Sequence, residues 1–576
     1  MAFRAPVSDI AFALKHGAGF TSDELTGDDV DAVLTEAGRF ASDVIAPLNA
    51  VGDKHGTPFK DGRITMPPGW KEAYQAWWQG GWNAVSAPAA FGGQALPHAL
   101  NAACIEMWNC ASMAFGIGPV LTMGAVEALA AYGTDALKKT YLPKLTSGEW
   151  MGTMQLTEPQ AGSDVGALRT KAERAPDGTY RITGQKIFIT YGEHELTDNI
   201  IHFVLARLTD APPGNKGISL FLVPKLLVNA DGSLGQRNDA RAHSIEHKLG
   251  IHASPTCTMV YGDHGGAVGY LVGEENRGLA CMFTMMNLAR LAVGLQGVGI
   301  AERATQQAIE YARERKQGRS AIIGYPDVKR MLLTMRAFTR AARNICYATA
   351  VAIDRAHRTG DEAERQAADE RAALLTPIAK AFSTDIGIEV ASLGVQVHGG
   401  MGFIEDTGAA QHLRDARIAA IYEGTNGIQS LDLVSRKISM SNGNAVHGYI
   451  AELRRTVDAV NASNDPAFGF TGTRLADALD CLERTTEWLL GALGKNTDDA
   501  LAGATPYLRL FGNAAGGCML ASEALAALRL SEGEPASRIA IARFFAENIA
   551  VQAPGLERSI TEGADSVNTA DAALSV

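Results

Sequence analysis

Glu423 closes the apolar run IAAIY (Ile418–Tyr422) and stands directly before Gly424. A carboxylate placed after an apolar run is a candidate base, because desolvation raises its pKa and strengthens it as a proton acceptor. Read locally, the same pattern also describes an exposed glutamate in a turn. Three other segments combine glycine with hydroxyl or amide side chains. In MQLTEPQAGSDVGALRTKA (Met154–Ala172), Gly162, Ser163 and Asp164 form a polar turn able to present backbone N–H groups. GQKIFITYG alternates as a strand and ends in Thr190, one face of which would suit a flat ring. In VQVHGGMGF, a helical pattern stops at Gly399, Gly400 and Gly402, where backbone can approach an adenine or a pyrophosphate closely.

Two patterns carry less. His243, Glu246 and His247 spell H-x-x-E-H, but a zinc site of that kind needs a sustained helix, and the run into KLGIHASP, with Gly250 and Pro255, opposes one. No metal site is expected. Met282, Met285 and Met286 read as core packing before they read as an adaptable pocket. No G-x-G-x-x-G follows a strand, which leaves a nicotinamide site unsupported.

The elements that must position these residues follow from periodicity and length. A chain of 576 residues exceeds one hydrophobic core. Residues 1–152 read as a helical domain, and its aromatic segment PPGWKEAYQAWWQGG reads as core. The period then changes: TYRITGQKIFIT, NIIHFVLARL, GISLFLVPK and CTMVYGD are short β-branched and aromatic runs, which makes 153–275 a β-sheet domain. Three long helical patterns resume over 276–440, as in a four-helix bundle containing Glu423. An extra helical domain fills 441–576. The expected class is α+β multidomain.

Composition bounds the rest. With 46% hydrophobic and 20% charged residues the chain is globular, and its 61 glycines suggest closely packed helices and turns. A net charge of -11 argues against a general nucleic-acid binder. Seven scattered cysteines, none in C-x-x-C spacing, suit reduced thiols and a cytoplasmic protein. The amino terminus carries Asp9 and lacks a long apolar segment, so no signal peptide is read there. The run Gly116–Gly133 is interrupted by Pro119 and Glu127 and falls short of a membrane span, so the protein is expected to be soluble.

Taken in order, TEPQAGSDV (Thr157–Val165), FIT (Phe188–Thr190), ARERKQ (Ala312–Gln317), QVHGGMGF (Gln396–Phe403) and RDARIAAIYEGTNGIQ (Arg414–Gln429) resemble the successive signatures of acyl-CoA dehydrogenases. The extra carboxy-terminal block and EHKLGIHASPT (Glu246–Thr256) resemble the long bacterial branch that includes 3-methylthiopropionyl-CoA dehydrogenases. The resemblance implies the acyl-CoA dehydrogenase fold, an FAD cofactor, and an acyl-CoA substrate oxidised to the trans-2-enoyl thioester with Glu423 as base. It implies that Met154, Leu156, Thr157, Gly162, Ser163, Phe188, Ile189 and Thr190 line the isoalloxazine, with Thr425 and Asn426 continuing that site. Arg315, Lys316 and Gln317 would hold the pyrophosphate. Gln396, Gly399 and Gly400 would meet the adenine end across a subunit interface, so a homo-oligomer, a dimer in the first instance, is implied. Ser163, Asn287, Arg290 and Gly424 would contact the acyl-CoA.

Some members of the family place the base on the helix just before the arginine; Ala289 stands there, and no carboxylate lies in CMFTMMNLARLAVGLQ. Phe188 replaces a common Trp, and Gly427 a common Gln or Glu, which leaves flavin edge packing and acyl depth open. An electron-transfer flavoprotein is the implied electron acceptor. Two alternatives share the fold: an acyl-CoA oxidase, distinguished by stoichiometric hydrogen peroxide, and a DNA-associated flavoprotein of the alkylation-response type, which the acidic balance disfavours.

Overall fold

The computed structural model describes residues 3–575 and divides into two compact units that do not follow chain order. One comprises residues 1–41, 98–110 and 290–576; the other comprises 42–97 and 111–289.

The second unit is built on an eight-stranded sheet. Along the sheet run Ala240–Ile245, Thr256–Tyr261, Tyr180–Thr190, Ala267–Val272, Ile218–Pro224, Ile200–Leu208 and Met151–Gln155, with Lys171–Arg174 paired to both Tyr180–Thr190 and Ile200–Leu208. Pairing is antiparallel except where Met151–Gln155 and Lys171–Arg174 meet Ile200–Leu208. The four apolar runs became strands, as the β-branched content required. Lys171–Arg174 and Ala240–Ile245 were not legible, because their alternation is carried by Ala and charged residues. Helix Met113–Tyr132 packs its apolar surface into the core of this unit with Leu205, Leu220, Met282 and Met285. It is 20 residues long and passes through Pro119, so it is longer than the interrupted run suggested. Its most apolar window is 89% buried within the protein. Trp70, Tyr74 and Trp77 are buried on helix Trp70–Gln79, a core role as their spacing indicated. His243 lies in a strand, so the helix a zinc reading would require is not formed there.

The first unit is helical. Helices Pro326–Arg358 and Glu362–His398 form a hairpin joined by a short turn capped by Asp361, whose carboxylate accepts from the Glu364 backbone N–H at 2.8 Å. Helix Gly278–Glu314 begins in the sheet unit and continues into this one. Its Gly297 meets Gly387 backbone to backbone: a Cβ at 297 would lie 2.2 Å from the Ser383 carbonyl oxygen. This close approach fixes how the helix carrying Arg290 and Gln296 sits on the helix carrying Lys380 and Asp385. The carboxy-terminal helices belong to the same unit, with Gly512 on helix Ala504–Leu530 seated against the Phe382 ring.

Candidate active site

In the helical unit, helix Ala409–Ala416 passes through a tight turn at Arg417–Ala420 into the Glu423 loop. The loop ends where the Thr425 hydroxyl accepts from the Ile428 backbone N–H at 3.2 Å and starts helix Asn426–Asp432. Glu423 has φ 57° and Gly424 φ 88°. For a residue with a Cβ this left-handed conformation costs on the order of 1–2 kcal/mol, and strain of this kind persists where surrounding structure over-determines it. Among the described residues, the backbone N–H groups of Glu423 and Gly424 donate to no protein acceptor.

Burial raises the Glu423 carboxyl above the ordinary glutamate range, more than the Arg290 and Lys380 charges lower it. The side chain itself is half-buried. The run IAAIY is not the dry wall its sequence suggested: Ile421 is 48% exposed, and only Ala419 of the five is fully buried. The environment of the carboxyl is set instead by groups on the long helices. Arg290, 8% exposed, is held below its ordinary pKa by burial while Asp432 and Glu423 favour its charge. Asn287 lies one turn before Arg290 on the same helix, as their spacing indicated.

Tyr311 and His398 stack at 4.4 Å with planes 26° apart, joining the ends of two long helices. Arg315, Lys316 and Gln317 follow the first of these ends and are exposed; Gln396, Gly399 and Gly400 are exposed at the second. Gly399 has φ 61°, and a Cβ at either Gly399 or Gly400 would meet nothing within 4 Å. Bare backbone beside a cationic helix end suits a phosphate-bearing group.

The sheet unit supplies a second surface. The Thr157 carbonyl accepts from the Ile187 backbone N–H at 2.9 Å, bringing Met154–Ser163 beside Phe188–Thr190. A bulge sets Ile187 and Phe188 opposite one residue of strand Thr256–Tyr261, and Phe188 takes φ 59° there. The bulge turns Phe188 outward, 60% exposed, while Ile189 is buried and Thr190 half-buried. Met154 is buried, Leu156 and Thr157 are half-buried, and Gly162 and Ser163 are exposed. An outward aromatic next to an open glycine turn fits a flat ring system.

Several residues that organise this surface escaped the sequence. Glu158 is buried and accepts from Lys186 Nζ at 2.8 Å, Arg169 N at 2.6 Å and Thr170 N at 3.0 Å. Lys186 also donates to the Leu156 carbonyl at 3.0 Å. Burial opposes ionisation of Glu158, but Lys186 and these hydrogen bonds hold its carboxyl well below the ordinary range. In the helical unit, Lys380, Asp385 and Gln296 were likewise missed. A lysine inside the apolar stretch TPIAKAF was the available signal. The side chain of Asn426, expected to continue the ring site, is engaged by Lys380, Thr384 and Asp385, and its carbonyl accepts from the Ser430 hydroxyl at 3.0 Å.

The helical unit thus carries a half-buried carboxylate on a strained loop with unengaged N–H groups beside it and an exposed surface suited to phosphates, and the sheet unit carries a surface suited to a flat ring. Comparison with known proteins gives the class. The acyl-CoA dehydrogenase N-terminal, middle and C-terminal domain families match residues 27–149, 153–264 and 276–438, and an acetyl-CoA dehydrogenase C-terminal-like family matches 449–571. A 3-methylmercaptopropionyl-CoA dehydrogenase of Ruegeria pomeroyi is 46% identical over 99% of this chain and 100% of its own. A butyryl-CoA dehydrogenase of Syntrophomonas wolfei is 35% identical over 91% of this chain and 89% of its own. The fold is shared with an acyl-CoA dehydrogenase of Bacillus anthracis solved with FAD, at TM-score 0.78 and 21% identity, covering 98% of this chain and 93% of that one. The chain belongs to the acyl-CoA dehydrogenase family. It is an FAD-dependent oxidoreductase that dehydrogenates an acyl-CoA thioester between its α and β carbons.

Proposed function

We propose that Glu423 removes the α-proton of a short or medium acyl-CoA, a thioether acyl chain included. The observation that carries this reading is the Glu423 carboxyl itself: burial raises its pKa, and its loop conformation leaves two backbone N–H groups unengaged. An α-hydrogen of a thioester is too weakly acidic for a carboxylate in water, so the charge developing on the thioester oxygen needs preorganised donors. The N–H of Glu423 is available for that role. The Arg290 charge favours the ionised form of the carboxyl against that burial. Bound FAD supplies the acceptor for the β-hydride.

Met154, Leu156, Thr157, Gly162, Ser163 and Phe188–Thr190 would hold the ring system, with Thr425 and Asn426. Arg315 and Gln317 would hold the phosphates, and Gln396, Gly399 and Gly400 the adenine end. Ser163, Asn287, Arg290 and Gly424 would orient the thioester. The name of the 46% identical Ruegeria pomeroyi relative supports the thioether substrate. Our reading includes an electron-transfer flavoprotein as acceptor and a homodimer. It also includes a cytoplasmic setting, supported by seven cysteines that are all free and buried.

Anaerobic titration of the purified flavoprotein with acyl-CoAs of graded length, 3-methylthiopropionyl-CoA among them, tests substrate and base together. Glu423→Gln is expected to keep FAD and ligand binding while bleaching slows by roughly a hundredfold or more, the scale of a lost general base. Bleaching of that variant at the normal rate would remove Glu423 from the reaction.

A further inference from the structure

Lys380 is fully buried on helix Glu362–His398, behind the Glu423 loop, and proton abstraction as described above makes no use of it. Its ammonium donates to Asn426 Oδ1 at 2.8 Å. The Asn426 amide nitrogen donates in turn to Asp385 Oδ1 at 2.7 Å and Thr384 Oγ1 at 3.0 Å. Asn426 lies three residues past Glu423. On the other side, the Tyr422 hydroxyl donates to Gln296 Oε1 on helix Gly278–Glu314. The two left-handed residues of the loop are therefore tethered at both ends to helices that touch backbone to backbone at Gly297 and Gly387.

A neutral donor would satisfy Asn426 equally well; a lysine adds charge. Among the described residues no ion pair joins Lys380 to Glu423 directly; the ammonium acts on the carboxylate through space, as Arg290 does. Other charges face the same groups. Asp385 attracts Lys380 and is itself faced by Arg509 and Glu389; Arg290 is faced by Asp432 and Arg436; the Tyr422 hydroxyl is faced by Asp415. Burial brings the Lys380 ammonium down to about 7 although Glu423 and Asp385 favour its charge. It therefore carries its full charge below neutrality and begins to lose it near neutrality, on the alkaline side of the range where its charge bears on Glu423.

We propose that Lys380 is a positioning residue for proton abstraction, fixing the Glu423 loop through Asn426 and holding the Glu423 carboxyl ionised by its charge. This inference rests on Glu423 being the base. The sign follows: removing a neighbouring positive charge raises a carboxylate's pKa, and a base works only when ionised, so the rising limb of rate against pH moves upward.

The test is anaerobic bleaching of the FAD-loaded enzyme by butyryl-CoA across the neutral pH range. Lys380→Met is expected to move the limb up by about one pH unit and slow bleaching about tenfold at neutrality, whereas Lys380→Arg leaves the limb near its place. Asn426→Ala, which keeps the charge and breaks the tether, is expected to slow bleaching about tenfold at every pH with the limb unmoved. A Lys380→Met limb at the wild-type position overturns the proposal, whatever its rate. Should Lys380→Met fail to fold with FAD, an Asn426→Ala enzyme bleaching at the normal rate overturns it instead. Glu423→Gln run in parallel separates the failures: if that variant bleaches normally the base is wrong, and if it is inert while the lysine variants match wild type only the lysine inference falls.

Discussion

Glu158 illustrates how much of the site is decided by single side chains far apart in sequence. In TEPQAGSDV it looks like one polar residue of a turn, and the turn itself was legible from Gly162 to Asp164. Its function in the fold was not, because Lys186 is 28 residues away and nothing local announces the pair. Breaking a buried ion pair by removing one partner typically costs about 3–5 kcal/mol, since the other charge is left buried. Glu158→Ala is therefore expected to lower the thermal midpoint and to yield protein with depleted FAD, measured by absorbance per mole of chain. Because its folded pKa is depressed, the contribution of Glu158 is present above the ordinary glutamate range and lost as pH falls through the lowered value.

At the scale of elements, apolar periodicity located the three long helices and four of the strands. It missed Lys171–Arg174, whose single buried side chain, Ala172, gives no pattern to count. The many glycines suggested close helix packing in general; which of them make contact depends on the helix crossing, and Gly297 against Gly387 is the pair that matters for the site. A Cβ there meets backbone, which cannot move aside as the end of a side chain can. Gly297→Ala is expected to cost about 1–3 kcal/mol, read as a lower urea midpoint at unchanged slope. It should also slow flavin bleaching, since the crossing positions Arg290 and Gln296 relative to Lys380 and Asp385.

At the scale of the whole molecule, the helical unit ties the two ends of the chain together. Arg538 donates to Glu523 at 2.5 Å and to Asp9 at 2.9 Å, Arg340 also donates to Asp9, and the Arg538 guanidinium sits 3.9 Å from the Phe12 ring. The two cations and two anions balance, and all but Asp9 are nearly inaccessible. Arg538→Ala leaves the buried Glu523 without its cation and Asp9 with Arg340 alone, and is expected to cost about 3–5 kcal/mol. The loss should appear in hydrogen exchange as early opening of helices Val7–Phe12 and Pro535–Asn548. By itself the sequence determined the class of fold, the family, the cofactor and which carboxylate to test, because periodicity and ordered motifs are local properties that survive without coordinates. Only the tertiary structure decided what surrounds that carboxylate. Desolvation and charge depend on distances through space, and the groups that supply them, Arg290, Lys380 and Asp385, come from other helices than the loop they act on.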